Sequence, residues 1–289
     1  VHERRLAPAD RARRLAPAER ARRVAEGGGD PRVPGPLLAP ALVAVGLLVL
    51  PLVALLVRAP WGRLGSLLAA PAALEALRLS LWTSSLATAV AVALGVPLAW
   101  VLARGAVPAR RIVRALVTLP LVLPPVVGGV ALLLAFGRRG IVGRYLDVWF
   151  GVSLPFTPWA VVLAQVFVAM PFLVVTVEGA LRAADRGYDE AAATLGASRL
   201  TVLRRVTLPL VAPSLVAGAV LCWARALGEF GATITFAGSF PGRTQTLPVA
   251  VYYALEQDPD AAIALSLVLL VVSVAVLASL SDRWLRGRP

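Results

Sequence analysis

Six stretches of this chain carry no charged residue: 33–57, 79–103, 115–137, 148–177, 206–224 and 261–281, each 19 to 30 residues long. A helix needs about 20 apolar residues to cross roughly 30 Å of hydrocarbon. Backbone groups in lipid must be paired within their own segment, so each stretch is expected to be a helix. The fold class that follows is an all-α membrane protein with six transmembrane helices, near 38–57, 79–102, 115–136, 155–177, 208–227 and 261–281. Composition agrees, since 58% of the 289 residues are hydrophobic and 16% charged, against about 45–50% and about 25% in soluble domains. The first stretch does not read as a cleaved signal. It begins after more than thirty residues, exceeds an h-region of about 7–15 residues and lacks a clear small-x-small site at its end.

The net charge of +13 raises a nucleic-acid reading, but such binders present basic faces on soluble folds. Here the charges lie between apolar runs, so no nucleic-acid partner is expected. All 29 basic residues are Arg, and a phosphate-cradling P-loop needs a Lys. The chain therefore binds no nucleotide in that way. With His2 and Cys222 as the one His and one Cys, a zinc cluster and a Ser-His-Asp triad are both unsupported, and no metal site is expected. Arg distribution gives the orientation. With the N-terminus inside, inner segments hold 21 Arg and outer segments 8. Positive charge collects on the cytoplasmic side, which favours both termini inside.

Residues 1–36 form a basic tail with a nine-residue repeat, Arg4–Ala12 followed by Arg13–Ala21. Its prolines and the Gly27–Gly29 run argue against a stable domain. A disordered cytoplasmic extension and a contact with anionic lipid are the two readings. Val1 fits a start at an alternative codon or further along. Residues 37–284 form the transmembrane domain. Inside it, the third stretch contains Pro120, Pro124, Pro125, Gly128 and Gly129, and the fourth contains Pro155, Pro158 and Pro171. Pro removes a helix bond and kinks the segment, which membranes tolerate where protein or a watery path re-pairs the freed groups. Ordinary membrane-helix usage and a third span bent around a conduit both fit.

The segment Tyr188–Pro209 lies in the inner loop 178–207 and its junction with the fifth stretch. Asp189 suits an N-cap, Glu190 a dipole-favoured first turn, and Ala191–Ala193 a helix interior. Gly196 suits the left-handed residue that stops a helix, and Ser198 can cap a second helix. Leu195 and Ala191, four apart, share a face. The expectation is two short helices forming a peg beneath the membrane, shaped to enter a groove on a partner.

This stretch resembles the E-A-A-x3-G-x9-I-x-L-P signature of ABC importer permeases. Glu190-Ala191-Ala192, Gly196 and Val206-Thr207-Leu208-Pro209 fit at every spacing, with Val206 where Ile is usual. The resemblance implies that the peg docks into an ABC ATPase subunit. Glu190, Ala191, Ala192 and Gly196 would shape it, and Leu195 and Arg199 would face the ATPase. Two further runs, Arg225–Ala232 and Pro241–Pro248, resemble the molybdate permease subfamily. Sulfate and thiosulfate permeases share a similar first run, commonly with Tyr at the place of Phe230 and Ser at that of Ala232. The likeness covers roughly residues 75–284.

What it implies is a homodimer that does no covalent chemistry and binds no cofactor itself, with ATP and Mg on the partner ATPase. An extracytoplasmic molybdate-binding protein would supply the substrate, and the setting would be the bacterial cytoplasmic membrane. Candidate path residues are Pro124, Pro125, Gly128, Arg225, Glu229 and Thr233, with Thr235, Ser239 and Thr244 as further donors. Arg225 and Glu229, four apart, form either a structural ion pair or a device that draws an oxyanion inward. A self-contained anion channel or carrier is disfavoured by the docking peg. An intramembrane enzyme is disfavoured because no paired carboxylate or nucleophile–base set appears within a span. Molybdate and tungstate are not separable at this level.

Overall fold

The computed structural model describes residues 35–105, 108–185 and 187–286. The tail read over 1–36 thus falls, up to residue 34, outside the described residues. Among them every regular element is helical. The chain divides into two units between Val57 and Arg58. The first contains α1, Gly35–Val57, an apolar helix with Pro40 and Pro51 inside it and no buried residue along its span.

The second unit is built on α3 (Pro71–Arg104), α7 (Pro158–Ala183) and α10 (Leu208–Leu227). The short α2 (Leu64–Leu68) precedes α3. At 34 residues α3 is about 50 Å long, well beyond a hydrocarbon core of ~30 Å, so it either tilts or projects. Its buried stripe Ala87, Ala91, Gly95 and Ala99 repeats every four residues. Small residues at that spacing let helix backbones approach closely where lipid offers no hydrophobic drive. A Cβ built on Gly95 would lie 3.2 Å from Val174 Cγ2, and one on Gly218 of α10 3.2 Å from Leu173 Cδ1. The stripe packs with Leu173, Val174 and Val177 of α7 and with Val211, Cys222 and Ala226 of α10 in one apolar cluster.

Where one span was expected over 115–136, two helices stand: α4 (Arg110–Val122) and α5 (Pro125–Phe136), bent by 119°. The cause is local. A residue before proline is biased away from the helical region, and Leu123 and Pro124 both precede one. Both are extended, with ψ of 131° and 130°. Pro125 then restarts the helix at its first position, where a missing N–H costs nothing. Among the described residues, five helical segments are long and apolar enough to cross a membrane, or six with the bent pair as one span.

The remaining elements are α6 (Gly143–Phe150), α8 (Gly187–Thr194), α9 (Arg199–Val202), a single π-helical turn (Leu203–Thr207), α11 (Gly231–Phe236), α12 (Leu247–Gln257) and α13 (Pro259–Arg286). The helical α7 reaches Ala183, so the loop expected from 178 begins later. Helix α12 starts without a side-chain cap of its own. Buried Ser80 of α3 supplies one, its Oγ accepting Leu247 N–H at 2.6 Å.

Candidate functional site

Two regions hold the residues singled out from the sequence. The first is the peg between α7 and α10. Helix α8 begins at Gly187, which places Asp189 and Glu190 inside its first turn. Asp189 is therefore not the N-cap expected of it. The helix starts two residues earlier, and the Asp189 carboxylate turns to neighbouring elements. Gly196 has φ +82°, the left-handed conformation that ends a helix without the Cβ penalty of other residues. Ala197 N–H reaches Ala192 O at 3.1 Å and Gly196 N–H reaches Ala193 O at 3.0 Å, closing the free carbonyls. Ser198 caps α9, its Oγ accepting Thr201 N–H at 3.2 Å.

No residue of α8 or α9 is buried. Glu190, Ala191, Gly196 and Arg199 are exposed, Ala192 is half-buried, and Leu195 is 89% exposed. A cavity of about 290 Å³ lies behind the peg, lined by Trp100, Arg104, Asp189, Glu190, Arg199 and Thr207 among others. So Glu190 and Arg199 edge this hollow, while Leu195 does not line it.

The sequence reading missed the charged groups that anchor the peg. Arg104, the last residue of α3, lies 3.2 Å from the Asp189 carboxylate. Thr207 Oγ1 donates to Asp189 at 3.0 Å. Nearby, buried Glu178 of α7 receives both Arg114 of α4 and Arg182, the latter at 2.8 Å. The Glu178–Arg182 spacing of four was legible as a helix pair. Arg104–Asp189 and Arg114–Glu178 join distant segments, which no local pattern announces.

The second region is a crossing of α5, the second half of the bent span, with the short helix α11. Helix α5 follows the Leu123–Pro125 break, and α11 follows a break at Gly228–Phe230. They meet through glycines. A Cβ on Gly231 would lie 2.9 Å from Pro125 Cβ, and one on Gly129 2.7 Å from Thr235 Cβ and 2.9 Å from Ala232 O. Gly128 faces α7, where a Cβ would meet Phe167 Cε1 at 2.9 Å. Of the path candidates, Pro125 thus belongs to this crossing, Gly128 packs α5 against α7 instead, and Thr233 is buried within α11. Pro124 is exposed at the break itself.

Arg225 and Glu229 form an ion pair at 2.6 Å. The contact is one of charge, because Glu229 Oε2 makes no aligned hydrogen bond. Helix α10 ends at Leu227, so the pair bridges the helix end and the break rather than one continuous face. Glu229 is 1% exposed, and its Oε1 accepts Ala232 N–H at 2.8 Å. The carboxylate thereby caps α11 and balances the guanidinium at once. The other suggested donors are engaged locally. Thr235 Oγ1 donates to Gly231 O at 2.8 Å, and Thr244 Oγ1 accepts Phe240 N–H at 3.0 Å. Ser239 lines a separate cavity of about 540 Å³ shared with α12 and α13. Thr233 Oγ1 and both amide atoms of Gln165 are buried without a partner. Among the described residues no group of acidic, His or Cys side chains could hold a metal ion.

Residues 95–287 match the family described as binding-protein-dependent transport system inner membrane component. The molybdenum transport system permease protein ModB of Mycobacterium tuberculosis is 52% identical over 244 residues, 84% of this chain and 92% of that protein. The protein of that name from Escherichia coli K12 is 40% identical over 211 residues, 73% and 92% of the two chains. The sulfate transport system permease protein CysT of Salmonella typhimurium is 34% identical over 239 residues, 81% and 86%. Among solved structures, a bacterial ABC transporter that imports the polysaccharide alginate is similar with a TM-score of 0.69 at 17% identity, covering 88% of this chain and 94% of that one. At that identity it speaks for the fold. With most of its length matched, the chain belongs to the family of binding-protein-dependent transport system inner membrane components.

Proposed function

We propose that this inner-membrane protein is the permease subunit of an ATP-driven importer for molybdate. In this reading it works as a homodimer with both termini in the cytoplasm. One chain carries one peg, and a paired ATPase motor presents two sockets. An extracytoplasmic binding protein delivers the anion to the outer face. ATP and Mg bind to the partner ATPase, and this chain performs no covalent chemistry.

The observation that carries the importer reading is the peg. It is fully formed, capped at both helices, and buries none of its own helical residues within the subunit. Glu190, Ala191, Ala192, Leu195, Gly196 and Arg199 form the surface offered to the ATPase. The crossing of α5 and α11 is the part of the fold best suited to open and close. Packed interfaces switch between discrete arrangements more readily than they deform.

Molybdate is a doubly charged tetrahedral oxyanion, for which a guanidinium is a good donor. Arg225 is part-exposed and already balanced by Glu229. The resting path therefore offers a donor without a net charge that would trap a dianion. Pro124, Pro125, Gly128 and Thr233 line or shape that path. The choice of molybdate rests on the Arg225–Ala232 and Pro241–Pro248 runs and on the relatives named for molybdenum, which exceed the sulfate permease in identity. Tungstate, near-equal in size and charge, is the alternative substrate that these features do not distinguish from molybdate.

The test is uptake by liposomes holding this chain with its ATPase and binding protein. Molybdate should enter only with ATP and with the binding protein present. Sulfate entering in preference at equal concentration would overturn the substrate. Uptake without the ATPase would overturn the importer in favour of a self-contained carrier.

A further inference from the structure

The peg has a mechanical difficulty. Its α9 half is wound through the π-helical turn directly into α10, whereas α8 buries no residue against the bundle. What ties α8 to the spans is a pair of charges. Arg104 ends α3 and its side chain is only 10% exposed. Its Nη1 lies 3.2 Å from Asp189 Oδ2 on α8, and its Nη2 donates to Ala184 O, at the end of α7, at 3.3 Å. The second Asp189 oxygen, Oδ1, accepts from Thr207 Oγ1 at 3.0 Å. Thr207 is 2% exposed and immediately precedes α10. One guanidinium and one carboxylate therefore tie together the ends of α3, α7, α8 and α10.

We propose that Arg104, Asp189 and Thr207 form the joint that transmits movement of the peg to spans α3 and α10. The chemistry suits the task. A guanidinium can serve two partners at once, and opposite charges 3.2 Å apart in a half-buried place resist separation where apolar contacts slide. Both oxygens of Asp189 and both terminal nitrogens of Arg104 are used, each on a different element. Rotation of α8 cannot leave α3 or α10 behind without breaking a charged bond in a half-buried place. The three are positioning residues, placed at the base of the peg and not among the residues assigned to the path. The proposal rests on the importer reading and specifies how its peg does work.

The test uses the full transporter in liposomes, with ATPase and binding protein. Variants are Arg104→Gln, Asp189→Asn and Thr207→Val, together with the charge-exchanged double variant Arg104→Asp, Asp189→Arg. The ATPase should still co-purify and hydrolyse ATP at near wild-type rate, while anion carried per ATP falls at least about five-fold in the Arg104 and Asp189 variants and less in Thr207→Val. The double variant should recover part of the loss. Parallel loss of assembly, hydrolysis and uptake would assign the cluster to folding alone and overturn the joint. So would unchanged coupling.

A second measurement needs no transported ion. Spin labels at Tyr188, exposed on α8 and outside the surface assigned to the ATPase, report the distance between the two pegs of the dimer, and labels at exposed Val148 on α6 report the opposite end. With ATP and vanadate both distances should change in wild type, but only the Tyr188 distance in Asp189→Asn. Both distances changing in the variant would sink the joint while leaving the importer intact. No change at Tyr188 in wild type would remove the importer reading and the joint with it.

Discussion

The peg and the crossing of α5 with α11 are held in opposite ways. At the crossing, backbones touch: Gly129 and Gly231 leave under 3 Å for a Cβ, and the charged pair is 1% exposed on its acidic side. At the peg, open space surrounds Gly196, with nothing within 4 Å of a built Cβ. Its shape comes from caps and one left-handed residue. The first region spends its surface on internal fit, and the second keeps its surface free. The exposed peg is shaped by its own short-range bonds, whereas the buried crossing is shaped by its neighbours.

That contrast can be broken by substitution. Gly129→Ala should be the most damaging, about 3 kcal/mol, because α5 must retreat from backbone as well as side chain. A thermal midpoint in detergent, read by size-exclusion fluorescence, will show it, and an unchanged midpoint would mean the two helices do not abut. Glu229→Gln should cost about 2 kcal/mol. It keeps an acceptor for Ala232 N–H but strands Arg225, whose partial exposure tempers the usual loss for a broken buried pair. Restoring the midpoint by adding Arg225→Gln would confirm that the charge, not the cap, is at stake.

At the peg, Gly196→Ala should cost only about 1 kcal/mol, the strain of a side chain in the left-handed region with no clash added. A loss as large as that at Gly129 would erase the distinction. Leu195→Ala should be the mildest for stability, within about 0.5 kcal/mol as for other exposed sites. Its effect should fall instead on ATPase co-purification, and an unaltered yield of the complex would remove Leu195 from the contact.

The same contrast explains what could be read in advance. The peg is contiguous: helix formers, a stop at Gly196 and a cap at Ser198 all act within a few residues, so their order in the chain reveals them. The uncharged runs likewise expose the long helices. Two adjacent X-Pro steps at Leu123–Pro125 signal a break, although the 119° turn depends on where α5 then packs. The Gly129–Ala232 approach and the Arg104–Asp189 pair depend on which distant helices become neighbours, and no periodicity carries that. Asp189 shows the limit most plainly. By residue type it is a fine cap, yet α8 begins at Gly187 and the carboxylate faces elsewhere.

The π-helical turn at Leu203–Thr207 runs without a break from α9 into α10. Winding along such a rod is counted in whole residues. Deleting one residue between Arg199 and Thr207 would shift the lower end by merely ~1.5 Å but swing it through about 100°. Arg199 would then point to another compass bearing, and Thr207 would no longer meet Asp189. The nine-residue interval between Gly196 and Val206 is thus an angular setting, fixed by azimuth far more strictly than by reach.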